Sequence, residues 1–232
     1  MAVVIDPRDQ RLQSSTEIPG YPQTFQRWPS QPLVRRAPTL AELTGPQEIL
    51  RRLAPVRADL AGEGAKRALG QLMQLEVRVL DEDGVPVPGA VVELWHCNAA
   101  GKYIHENDAS DAPADPNFYG AARGTTGEDG VFTLRSIKPA AYPVPDSGKW
   151  WRPPHIHFSV WGKVWLSRLV TQMYFPGEPL NAYDRILNAV ADGEARERCI
   201  ARMVPPSVAP ATALAFEYDL VVRGRRSAPS MP

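Results

Sequence analysis

Proline narrows the folds open to this chain more than any other feature: it contributes 24 of 232 residues, against 17 glycines. Its ring removes a backbone donor and clashes with the preceding helical turn. Proline is therefore kept out of helix interiors and central strands. A chain so often interrupted cannot be a bundle of long helices. It has to divide into short segments joined by turns, which favours β-structure. Its length suits one large domain or two small ones, with a buried core in either case.

The prolines at 19, 22, 29, 32, 38, 46 and 55 break up residues 1–70, where no hydrophobic period is sustained. One helix start is written there. Thr39-Leu-Ala-Glu42 fits a capping box, and Gly45-Pro46 stops the helix soon after. Residues 1–70 are expected to form an extended N-terminal arm with short helical turns, reaching toward a neighbouring subunit. The pattern changes at Leu75. Leu75–Leu80 alternates apolar and polar residues, and Asp83-Gly84 makes a turn. Further strands are expected at Val91–Trp95, Val131–Leu134, His155–Trp161, Leu169–Phe175 and Ala215–Val222. Short strands separated by Gly, Pro and Asp turns predict a mainly β fold, with a β-sandwich core over residues 71–225. Short helices are expected in loops, around Tyr183–Val190 and Glu194–Met203, and a flexible tail at residues 226–232.

Charge and composition exclude several roles. Lys+Arg and Asp+Glu both number 26, so there is no basic surplus for a nucleic-acid backbone. No apolar run approaches the ~20 residues of a membrane-spanning helix. The N-terminus lacks the basic and apolar regions of a secretory signal. Two cysteines, Cys97 and Cys199, make no disulfide framework, and a cytoplasmic location is expected.

Only four histidines occur: His96, His105, His155 and His157. In a strand, side chains two apart share a face, so His155 and His157 project together and can share a metal ion. The pair alone is equally compatible with two structural histidines, or with a zinc or copper site. No Asp or Glu follows closely in that strand. Tyr142, in the Pro-flanked Lys138-Pro-Ala-Ala-Tyr-Pro143, and Tyr103, in Gly101-Lys-Tyr-Ile-His105, are further candidate donors. A phenol of pKa ~10 ionises near neutrality only beside a strong cation. Each tyrosine taken alone also reads as a core residue with a satisfied hydroxyl.

Taken together, Gly101-Lys-Tyr103, Tyr142-Pro143 and Trp151-Arg-Pro-Pro-His155-Ile-His157 resemble the intradiol ring-cleavage dioxygenases. Within that family they are most similar to β subunits of the protocatechuate-cleaving branch. Leu94-Trp95, Asn98-Ala-Ala-Gly101, Asp115-Pro-Asn-Phe118, Thr171-Gln-Met-Tyr-Phe175 and Leu220-Val-Val-Arg-Gly224 extend the likeness. It implies a non-haem Fe(III) held by Tyr103, Tyr142, His155 and His157. In the family, the tyrosine at the position of Tyr142 leaves the metal when substrate binds. Arg152 and Gln172 match active-site positions, and Trp95 and Tyr21 match pocket positions that contact substrate. The implied reaction is cleavage of a catechol ring by O2, with 3,4-dihydroxybenzoate (protocatechuate) giving 3-carboxy-cis,cis-muconate. The implied partner is an α subunit of similar fold, in a higher αβ oligomer. Val144 stands where family β subunits often carry an aromatic residue, a departure that bears on pocket shape.

A different reading starts from Asp81–Leu94 and Gly127–Leu134, which are similar to transthyretin-like sandwich modules that bind without catalysis. Such modules have no need of two Tyr and two His in this register. His96 and His105 are left with a supporting or a purely structural role, and the cysteines with a buried one.

Overall fold

A computed structural model describes residues 57–161, 168–206 and 213–222 of the chain. The helix start at Thr39 and the pocket candidate Tyr21 lie outside the described residues.

Strand β1 (Leu72–Leu80) shows why its sequence forms a sheet with one face inward. Leu75, Val77 and Val79 are fully buried, while Gln74, Glu76 and Arg78 between them are not. β1 pairs antiparallel with β4 (Val131–Ile137) on one side and parallel with β10 (Leu214–Val221) on the other. Beyond β10 the sheet ends with β9 (Arg202–Val204). The second sheet is antiparallel throughout, in the order β3 (Ala121–Thr125), β2 (Val91–Trp95), β7 (His155–Trp161), β8 (Arg168–Tyr174). A two-stranded ribbon joins β5 (Tyr142–Pro143) to β6 (Trp151–Arg152).

The two four-stranded sheets share one apolar core. Leu75, Val77, Leu134 and Phe216 of the first sheet cluster with Val92, Leu94, Ile156 and Phe158 of the second. The Phe158 and Tyr218 rings meet across the interface with centroids 5.7 Å apart. This is the mainly β sandwich that proline content and alternation foretell. Among the described residues, no helix is long and apolar enough to cross a membrane.

The structure departs from the sequence reading in three places. β3, Ala-Ala-Arg-Gly-Thr, carries little intrinsic strand signal, and its pairing with β2 makes it a strand. The segment read as a helix over Glu194–Met203 is helical only at its start. Helix α1 (Gly193–Glu197) is capped by Asp192, whose Oδ1 accepts the Ala195 N–H at 2.8 Å. Arg202–Val204 then extends as β9, because Met203 pairs with Phe216 of β10. Tyr183–Val190 is occupied by 3₁₀ turns at Pro179–Tyr183 and Leu187–Ala189 rather than by one α-helix.

Gly124 of β3 lies under the Phe132 ring of the opposite sheet. A Cβ there would come within 2.3 Å of the ring's Cε2. Gly124→Ala is expected to lower unfolding free energy by about 1–3 kcal/mol through overpacking. Urea unfolding of the two proteins measures this directly.

Candidate metal centre

The pleat of β7 builds the site. Ile156, Phe158 and Val160 point into the core and are fully buried. His155, His157 and Ser159 therefore point to the opposite face of the second sheet. Register supplies their neighbours. Trp95 of β2 and Gln172 of β8 flank His157, and Tyr174 flanks His155. The Trp95 ring lies on His157, with centroids 5.0 Å apart and planes 5° from parallel.

Two further elements bring phenols over this face. Gly101 turns the chain with φ 87°, a left-handed conformation that favours glycine, and a Cβ there would press on Tyr142 Cβ at 3.1 Å. Asn98 Oδ1 holds the turn by accepting the Ala100 and Lys102 N–H groups, both at 2.9 Å. Asp108 Oδ2 accepts the N–H of Tyr103 at 2.7 Å. Tyr142 is set by the ribbon, directly opposite Arg152.

The four candidate donors converge. Tyr103 Oη is 3.2 Å from His157 Nε2, 3.4 Å from His155 Nε2 and 3.5 Å from Tyr142 Oη. Tyr142 Oη is 3.4 Å from His155 Nε2, and the two Nε2 atoms are 3.2 Å apart. Donors bound at about 2.0–2.1 Å around one tetrahedral ion stand roughly 3.3–3.4 Å from each other. The spacing therefore fits a single first-row metal ion. His155 Nδ1 donates to the Pro153 carbonyl at 2.7 Å, which leaves its Nε2 lone pair facing the cluster.

Electrostatics favour the same use. Burial, reinforced by the Arg152 charge, pushes His155 well below its ordinary value and His157 down to about 3. Both imidazoles are neutral and available as ligands. Burial, with Tyr142 nearby, pushes the Tyr103 phenol up, so a phenolate there requires a cation between the donors. Among the described residues, no group of three or more His, Cys, Asp or Glu side chains is placed to hold a metal. The Tyr103 and Tyr142 phenols are the further candidate donors beside the His pair, and hard anionic oxygen suits a hard ion such as Fe(III).

Arg152 lies beside this cluster and is only 2% exposed. Its Nε donates to Asp184 Oδ2 at 2.6 Å, and its Nη2 donates to Gln172 Oε1 at 2.5 Å and Tyr174 Oη at 3.0 Å. Burial alone would lower its pKa, but Tyr174 and Asp184 outweigh burial and raise it, so the guanidinium stays charged. Asp184 Oδ1 also accepts the Ile186 and Leu187 N–H groups, at 2.7 and 2.9 Å. Gln172 Oε1 takes a second bond from Tyr174 Oη at 2.9 Å, and its Nε2 lies 3.4 Å from His157 Nδ1.

Of the residues singled out in the sequence, Tyr103, Tyr142, His155, His157, Trp95, Arg152 and Gln172 come together, while Tyr21 is outside the described residues. Val144 is buried and does not line the neighbouring cavity. His96 is spent on structure, donating from Nδ1 to the Cys97 carbonyl and accepting at Nε2 from Ser136 Oγ. His105 is an exposed loop residue whose Nδ1 accepts the Asn107 N–H. Burial pushes the Cys97 thiol up to about 12 and raises Cys199, so neither is a ready thiolate. Sequence reasoning missed Asp184 and Tyr174, the partners that hold Arg152. It also missed a cavity of about 690 Å³ that opens beside Trp95 and Tyr103.

A family described as Dioxygenase matches residues 43–224. The β chain of protocatechuate 3,4-dioxygenase from Burkholderia cepacia is 41% identical over 228 residues, covering 97% of each chain. The chain belongs to the intradiol ring-cleavage dioxygenase family. That membership sets aside the non-catalytic sandwich module. Hydroxyquinol 1,2-dioxygenase of a Rhizobium species is 32% identical over 143 residues, 57% of this chain and 45% of that one. Among solved structures, a catechol 1,2-dioxygenase from Acinetobacter sp. superposes with TM-score 0.54 at 26% identity, covering 71% of this chain and 56% of the other. A 3-chlorocatechol 1,2-dioxygenase from Rhodococcus opacus shares the fold, with TM-score 0.54 at 20% identity over 78% of this chain and 79% of that one.

This intradiol dioxygenase should be sensitive at two buried points. Asp184→Ala leaves the Arg152 charge buried without its carboxylate and is expected to cost about 3–5 kcal/mol in chemical denaturation. His96 is fully buried, and burial lowers it to about 4. Between its ordinary value and about 4, the unfolded chain holds a proton that the folded chain does not. Its contribution is therefore intact above about pH 6.5 and is lost as pH falls, by up to about 3 kcal/mol. Unfolding curves from about pH 7 to about pH 4.5 should show this loss together with that of His155 and His157, which burial also lowers, and His96→Gln should make the slope shallower by His96's share.

Proposed function

We propose that the chain is the iron-bearing β subunit of a protocatechuate 3,4-dioxygenase, in which Tyr103, Tyr142, His155 and His157 hold a non-haem Fe(III). The observation that carries this reading is the convergence of two phenol oxygens and two imidazole nitrogens at 3.2–3.5 Å, with no carboxylate or thiol among them. The reaction is O2-dependent cleavage of 3,4-dihydroxybenzoate to 3-carboxy-cis,cis-muconate. The likeness to the Burkholderia β chain supports that substrate and a partner chain beside this one, the α subunit of the proposed assembly.

Fe(III) would supply Lewis-acid chelation of the two catechol oxygens and redox contact with the ring. The protein's own groups account for the rest. Two phenolates and two neutral imidazoles offset most of the ion's charge and leave a residual positive charge for a catecholate. Tyr103, pinned through Asp108, is the fixed phenolate. Tyr142, on a two-residue ribbon strand, would be the movable one, its Oη placed to accept a substrate hydroxyl proton. Arg152 stays cationic at every working pH and stabilises negative charge developing on the ring. Gln172 and Asp184 fix its direction. Trp95 keeps the His157 ring in plane and walls off the substrate side.

The test is optical. Iron-loaded protein should be burgundy, with a broad tyrosinate-to-iron band that shifts on adding protocatechuate, and should consume O2 with it. Tyr142→Phe should retain iron but chelate substrate at least about tenfold more slowly, since its proton acceptor is gone. Colourless protein after expression with ample iron, or a Tyr142→Phe protein with unchanged binding kinetics, would refute the assignment.

A further inference from the structure

The cavity beside the donors is larger than a single substituted ring requires. Its volume of about 690 Å³ lies within the range of sites that enclose drug-sized ligands. The near end is formed by Tyr103, Trp95 and Pro143, the residue after Tyr142. Further along, Arg123 of β3 and Glu93 of β2 line it, and these two are direct cross-strand partners. Glu93 and Trp95 are two residues apart on one strand, so they share a face about 7 Å apart. Arg123 therefore stands one pleat step beyond the Trp95–His157 stack.

The state of Arg123 suggests a missing partner. Its Nη1 is 3.5 Å from Glu93 Oε1, a long contact for an ion pair. Its Nε is buried and has no hydrogen-bond partner among the described residues. The Nε is shut off from solvent, but the side chain as a whole is 22% exposed, so the outer edge of the guanidinium, held only by the long Glu93 contact, is what an acceptor in the cavity can reach. Arg57 adds positive charge on the same side, its guanidinium lying 3.6 Å over the ring of Tyr119, another lining residue.

We propose that this cavity is a substituent pocket read by Arg123, so that the site takes catechols whose ring carries an acidic side chain longer than a carboxylate. The ring lies at the donor cluster and the terminal acid on the Arg123 guanidinium. The inference rests on the reading of the four donors as the catechol-binding centre, and it widens the substrate class from benzoates to arylalkanoates.

The test compares protocatechuate, 3-(3,4-dihydroxyphenyl)propanoate and uncharged 4-ethylcatechol on iron-loaded protein, with Kd read from the shift of the visible band. Wild type should bind all three. Arg123→Gln should weaken the propanoate about tenfold or more, through loss of a charge-assisted hydrogen bond, and leave the other two within about twofold. Glu93→Gln, which removes the competing carboxylate and leaves Arg123 in place, should tighten the propanoate by about threefold or more. The pocket is overturned if wild type binds protocatechuate but refuses the propanoate, if Arg123→Gln weakens both acids alike or neither, or if Glu93→Gln has no effect. A wild type that binds no catechol overturns the donor-cluster reading and the pocket with it.

Discussion

The arrangement of the site depends on one buried ion pair. A guanidinium taken out of water is unfavourable unless its charge and donors are met, and Arg152 meets its own with Asp184, Gln172 and Tyr174. The pair and its partners come from three separate parts of the chain. Asp184 lies in the turn-rich segment after β8, Gln172 and Tyr174 on β8 itself, and Arg152 on the ribbon that carries Tyr142. The pair thus ties the ribbon to the sheet bearing the histidines. Burial does most to keep His155 and His157 unprotonated, and the Arg152 charge adds to it, so the group that organises the site helps keep its nitrogens available.

Much of this was legible in the sequence, and the reasons are particular. β7 could be read because His-Ile-His-Phe-Ser-Val-Trp alternates a fully apolar face with a functional one, and that alternation alone places His155 beside His157. β2 and β10 were legible by the same rule. β3 was not, because Ala121–Thr125 becomes a strand only through its neighbour. β9 was hidden because its charged approach continues the helical signal of α1 until pairing with β10 prevails. At the site, the tyrosines and the His pair were visible as motifs. The Arg152–Asp184 contact spans 32 residues between two irregular segments, and no local pattern encodes such a pairing. The Trp95–His157 stack likewise requires the register of β2 against β7, which the sequence does not state.

β7 also shows how a sandwich can carry chemistry without weakening its core. One face of the strand belongs to the inter-sheet core, and the other is roofed by the ribbon and the Gly101 turn. Because the roof is held by backbone hydrogen bonds to the Asn98 and Asp108 side chains rather than by apolar packing, it can place phenols over the sheet.

The first sheet has a consequence for how the molecule is made. β10 lies between β1 and β9 and runs parallel to β1, with Arg78 opposite Asp219 across 141 residues of sequence. While a ribosome extends the chain, β1 and β4 can pair early, but the central place beside β1 stays open until almost the whole domain has emerged. Closure of the sandwich is therefore a late, non-local event, and for most of synthesis the apolar inner faces of Leu75, Val77 and Val79 lack their final cover.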